Sequence, residues 1–116
     1  MVKYHDLDKK TIDSLFDDKS YGNYVVGHKE NDEFIPTYVG RGELKIRLTR
    51  HFTDEYNDDL FYFEDKKDDD AACKEECEDY HHFKPISEGG TLRNKEHPKL
   101  FTGQKCPRCG RIGGKN

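Results

Sequence analysis

The sequence predicts a small α+β fold, a three-stranded antiparallel sheet flanked by helices. Three observations predict it. Two Tyr/Val-rich runs, Tyr21 to His28 and Phe34 to Val39, flank a short polar turn, and a third run, Leu60 to Glu64, is rich in Phe and Tyr. Between and after them, apolar residues recur at helical spacing. At 116 residues, with 32% hydrophobic and 38% charged, the chain suffices for one domain with a thin core.

Element by element, Ile12, Leu15 and Phe16 among Asp and Lys predict a first helix capped near Asp8 or Thr11. The first two strands read as a hairpin with a longer loop over Lys29 to Glu33. Pro36 points to an edge position or a bulge in the second strand. Gly40 and Gly42 punctuate its exit, and a helix is expected from about Glu43 to Phe52, with Leu44, Arg47, Leu48 and His51 on one face. The third strand runs into the acidic segment Asp65 to Asp70, which suits the N-terminus of a second long helix, about Asp69 to Phe83. Beyond Lys84, Pro85, Gly89-Gly90, Pro98 and Gly103 predict loops, and Gly113 to Asn116 a frayed end. One domain is expected over 1–116, with a core of about 20–98 and a tail of about 99–112.

The net charge of −4 argues against a nonspecific nucleic-acid coat, yet the charges are segregated. Acidic residues crowd Asp54 to Asp79. Basic ones gather at Arg41, Lys45, Arg47 and Arg50, and again at Lys99, Lys105, Arg108, Arg111 and Lys115. No apolar run reaches membrane-span length and the N-terminus carries no signal-like apolar region, so a cytoplasmic protein with no membrane partner is expected.

Four side chains suit phosphodiester chemistry. Tyr24 and Tyr38 fall on neighbouring strands, and Arg47, one turn into the following helix, carries a planar fork matched to phosphate. On the second long helix, Ala72, Glu76, Tyr80 and Phe83 share one face, so Glu76 is expected to point inward, where a carboxylate needs a cation or a basic partner such as Arg47.

The order Gly22-Asn23-Tyr24, Tyr38-Val39-Gly40, Arg47 and Glu76 resembles the GIY-YIG nucleases from Gly22 to about Asn94. The resemblance implies a metal-dependent endonuclease that cuts DNA. Tyr24 matches the first-motif tyrosine, Tyr38 the second, Arg47 the helix arginine and Glu76 the single ligand of a catalytic Mg²⁺ or Mn²⁺. His51 matches a histidine that follows the arginine, and Asn94 a downstream asparagine at the substrate. Arg41, Lys45 and Arg50 are the basic residues expected along the DNA. The first motif departs from its namesake in reading Gly-Asn-Tyr. The rival reading is an inactive nucleic-acid- or protein-binding module with the same fold. Either a monomer or a homodimer is compatible with the sequence.

Cys106-Pro107-Arg108-Cys109 has the spacing of half a zinc site. The stripe Cys73, Cys77 and His81 offers the other half through either neighbouring pair, and His97 competes with both. A Cys-Pro-x-Cys ending after Cys77 and His81 is similar to a small GIY-YIG subgroup with a metal-binding tail. That resemblance selects Cys77, His81, Cys106 and Cys109 as ligands of a structural Zn²⁺, with Cys73 and His97 as alternatives.

Overall fold

The computed structural model describes residues 2–53, 56 and 58–114. Asp54, at the head of the acidic run, and Lys115 and Asn116, at the end expected to fray, lie outside the described residues. The architecture is α+β. Its elements in chain order are β1 (His5–Asp6), α1 (Lys9–Leu15), β2 (Tyr21–Glu30), β3 (Glu33–Glu43), α2 (Leu44–Phe52), β4 (Leu60–Asp65) and α3 (Asp69–Phe83), followed by a 3₁₀ turn at Ile86–Glu88. The sheet is antiparallel with order β1-β4-β2-β3. It therefore has four strands among the described residues, not the three expected. The extra one is a two-residue strand, too short to show any alternation, and only its pairing of His5 with Phe61 and Asp6 with Leu60 creates it.

The helices begin where their side chains can cap them. Asp8 accepts from the Thr11 N–H at 2.8 Å and Asp68 from the Ala71 N–H at 2.9 Å, each satisfying an otherwise unpaired donor of the first turn. The β2–β3 hairpin is tighter than expected. Both strands continue to a two-residue turn, Asn31-Asp32, with φ of 51° and 64°. Two consecutive left-handed residues match the right-handed strand twist, and Asn and Asp tolerate that conformation. Pro36 occupies both of its expected settings: β3 is an edge strand, and the register shifts there, Val26 facing Tyr38 while Gly27 faces Pro36.

The sheet divides two apolar layers. One face carries Tyr24, Val26 and Phe61 against Ile12 of α1 and Leu44 and Leu48 of α2. The other carries Val25 and Val39 against Tyr80 of α3 and Leu92 of the following loop. A third cluster, Cys73, Cys77 and Cys106, docks the tail onto α3. The tail is more ordered than its composition suggests. The Gly113 N–H donates to the Gln104 carbonyl at 2.8 Å, and Lys105 bridges Ile112, so the chain is held up to Gly113. Among the described residues no helix is long and apolar enough to cross a membrane.

Candidate functional site

A cleft of about 850 Å³ wraps the outer edge of β3 and reaches both faces of the sheet. Tyr24, Tyr38, Arg41, Arg47, Arg50, Glu76 and Asn94 line it, so most of the side chains singled out in the sequence meet in one place. Tyr24 and Gly40 are directly opposed in the β2–β3 pair, and a Cβ at Gly40 would overlap the Tyr24 hydroxyl. The glycine lets the phenol lie across β3. There the Tyr24 hydroxyl stands 3.2 Å from His51 Nε2. The His51 ring, on the last turn of α2, also packs against the Tyr38 ring, with centroids 4.7 Å apart. Burial pushes the Tyr24 phenol well above its usual range and Tyr38 adds to this, while Arg47 pulls it down. The hydroxyl is therefore neutral and able to donate.

Glu76 does point inward, its side chain 10% exposed, but its partner is Arg41 and not Arg47. Arg41 Nη1 donates to Glu76 Oε1 at 2.7 Å, and Arg41 Nε donates to Asp69 Oδ1 at 2.9 Å. Arg41 Nη2 reaches Asp69 Oδ2 at 3.3 Å and Gln104 Oε1 at 3.2 Å. Tyr21 donates its hydroxyl to Asp69 Oδ1. Two carboxylates thus surround one buried guanidinium, an arrangement that keeps its charge compensated. Burial raises Glu76 above the usual carboxylate range and Arg41 draws it back only in part. Burial also acts to raise Asp69, but hydrogen bonds from Arg41, Tyr21 and Gln104 outweigh it and bring the group down to about 2.

This geometry revises several expectations. Arg41, expected along the substrate, is an internal counterion with a side chain 7% exposed. Lys45 is absent from the cleft lining; it acts electrostatically on Asp13 of α1, because one residue along a helix rotates the side chain by roughly 100°. Asn94 lines the cleft but is engaged with the backbone. Its Oδ1 accepts from the Val39 N–H at 3.0 Å and its Nδ2 donates to the Val39 carbonyl at 2.9 Å, so one side chain stands in for a strand at the β3 edge. Arg47 and Arg50 are exposed on the cleft side of α2 with no ion pair among the described residues, and Lys95 and Lys99 extend the basic lining. Several contributors went unnoticed in the sequence, among them Asp69 and Gln104, which hold Arg41, and Arg93, which lines the cleft and pairs with Asp58 at 2.8 Å. Asp69 was visible only as one of many acids at a helix start; nothing marked Gln104.

Beside the cleft, His81, His97, Cys106 and Cys109 bring their ligand atoms within 4.8 Å of one another. This puts His97 where Cys77 was expected. The Cys77 thiol is fully buried between Cys73 and Cys106, where it packs, and burial pushes it far up. Cys77 and His81 are neighbours on one helix face, so the path of the tail over α3, which buries Cys77 against Cys73 and Cys106, decides which of them joins the cluster. The donor set fits a metal ion. His81 Nε2 is buried without a hydrogen-bond partner among the described residues. His97 Nδ1 lies 2.9 Å from the Pro98 carbonyl, which can only accept; the proton therefore sits on Nδ1 and leaves the Nε2 lone pair facing Cys109 Sγ at 3.4 Å. Burial acts to raise the Cys106 thiol, but the N–H groups of Cys109 and Arg108 outweigh it and lower the group overall. Gly110, at φ 78°, closes the turn that aims these donors, donating to the Cys106 carbonyl at 3.0 Å. Two nitrogens and two sulfurs from four residues make a donor set that could bind a metal ion such as Zn²⁺.

No protein-family model matches the chain, and no significant match is found among curated proteins or solved structures.

Proposed function

We propose that the cleft binds DNA and hydrolyses a phosphodiester, with a divalent cation held at Glu76. The observation that carries this reading is the meeting on one cleft of two phenols, a guanidinium with no ion pair among the described residues and an inward carboxylate: Tyr24, Tyr38, Arg47 and Glu76. A Mg²⁺ or Mn²⁺ bound there would supply Lewis-acid charge and an acidified water. Arg47 offers its fork to the non-bridging oxygens, and Arg50, Lys95 and Lys99 track the flanking phosphates. In this reading the neutral Tyr24 oxygen accepts a proton from the attacking water while its own proton passes to His51 Nε2, 3.2 Å away.

Plasmid and branched DNA incubated with Mg²⁺ or Mn²⁺ test the proposal. Arg47→Ala should slow cutting by orders of magnitude with a smaller loss of DNA binding, and Arg47→Lys should rescue poorly because a point charge lacks the bidentate fork. Wild-type protein that cuts neither substrate sinks it. One observation favours the rival reading of an inactive binding module: Glu76 already has Arg41 as counterion and needs no cation to be stable there. The same assay separates the two, since a module retards DNA in a gel without cutting it.

The His81, His97, Cys106 and Cys109 cluster is read as a structural Zn²⁺ site that pins the tail to α3. All four positions are filled by protein, which leaves no open site for chemistry. One zinc per chain by elemental analysis is expected, and a metal-free protein with an ordered tail would refute it.

A further inference from the structure

We propose that Gln104 is a positioning residue for the Glu76 site: it anchors Arg41 so that the guanidinium takes one carboxylate oxygen and leaves the other for a cation. The inference rests on the cation-dependent reading of the cleft given above. Gln104 comes from the tail, two residues before Cys106, and is 9% exposed. All four of its amide bonding positions are filled. Oε1 accepts from Arg41 Nη2 at 3.2 Å and from the Phe101 N–H at 2.9 Å. Nε2 donates to Asp69 Oδ2 at 2.7 Å and to Asp70 Oδ1 at 2.8 Å. The amide orientation follows from this set, because a flipped amide would turn its oxygen toward two carboxylates.

An arginine beside a buried carboxylate ordinarily settles into a parallel fork with two bonds to the two oxygens. Arg41 does not. Asp69 and Gln104 hold its Nε and Nη2, and only Nη1 is left for Glu76 Oε1. Among the described residues no hydrogen bond goes to Glu76 Oε2. The Phe101 ring, 5.4 Å from Arg41 Cζ, backs the guanidinium from the same loop. Without Gln104, Arg41 keeps its attraction to Glu76 and loses one restraint against closing the fork, which would exclude a cation. The tail and its metal cluster thereby become part of the cleft's machinery and not only a clasp on α3.

Mn²⁺ binding to the zinc-loaded full chain, without nucleic acid, tests this through the electron paramagnetic resonance signal of free Mn²⁺. Gln104→Met should weaken Glu76-dependent Mn²⁺ binding by about tenfold, the scale typical for loss of a group that supports a metal ligand. Adding Arg41→Lys to that variant should restore binding, because an ammonium cannot close a two-bond fork. Gln104→Asn, which withdraws the amide by one methylene and keeps the side chain polar, serves if the methionine variant does not fold. Unchanged Mn²⁺ affinity in the Gln104 variant overturns the inference alone. So does a loss that Arg41→Lys does not restore, since Gln104 would then be acting as general scaffold. Wild-type protein with no Glu76-dependent Mn²⁺ binding overturns the cation reading of the cleft, and this inference with it.

Discussion

Asn94 gives the sharpest contrast between a role implied by resemblance and a role set by geometry. The resemblance implies a substrate contact, whereas the structure ties both ends of its amide to the backbone of Val39, itself fully buried on the edge strand β3. Asn94→Ala removes two neutral hydrogen bonds, each about 1 kcal/mol net, and strands one N–H and one C=O at the sheet edge, so the loss should total about 2–4 kcal/mol. For a domain of this size that is a fall in melting temperature of roughly 8–16 °C. Asn94→Asp should fall between wild type and alanine, because a carboxylate still accepts from the Val39 N–H but repels its carbonyl. Differential scanning calorimetry reads the stability, and hydrogen exchange at the Val39 amide reads the local opening. An Asn94→Ala protein that melts like wild type and keeps Val39 protected, yet no longer binds DNA, would refute the clamp and return the residue to the substrate.

Other expectations follow from the charged network and the metal cluster. Glu76→Gln should abolish Mg²⁺-dependent cutting without lowering the melting temperature at pH 7. Burial raises the folded Glu76 above its unfolded value, so its ionisation weakens the fold as pH rises, and the neutral isostere removes that cost; a destabilised Glu76→Gln would show that the attraction of Arg41 outweighs desolvation. Asp69 behaves in the opposite sense. Its folded value of about 2 lies below the ordinary aspartate value of 3.8, so its contribution is present above 3.8 and disappears as pH falls toward 2. Asp69→Asn should therefore cost about 1–2 kcal/mol at pH 7, allowing for partial exposure, with urea curves that converge with wild type in acid. Chelation, Cys109→Ser or His97→Ala should lower the melting temperature and expose the tail to protease, while Cys77→Ser should keep its zinc; zinc lost from Cys77→Ser and retained in His97→Ala, by elemental analysis, would restore Cys77 as the ligand.

The sequence by itself determined the elements whose causes are local. Helix α3 begins and ends where the acidic start and the apolar spacing put it, and Asp8 caps α1 because a short carboxylate reaches the next turn's N–H. The inward aim of Glu76 was legible for the same reason, since a helix of period 3.6 fixes which face each residue takes. The two-residue hairpin was within reach too, had Asn31-Asp32 been read as a left-handed pair. Only the tertiary structure decided who meets whom. The partner of Glu76 depends on the β2–β3 register that places Arg41 over α3, and the choice of His97 over Cys77 depends on how the tail crosses that helix. β1 exists only because β4 lies beside it, and Gln104 matters only because the tail folds back onto Asp69. Contacts between residues distant in the chain are set by packing and closure of the whole sheet, and local propensity carries no signal for them.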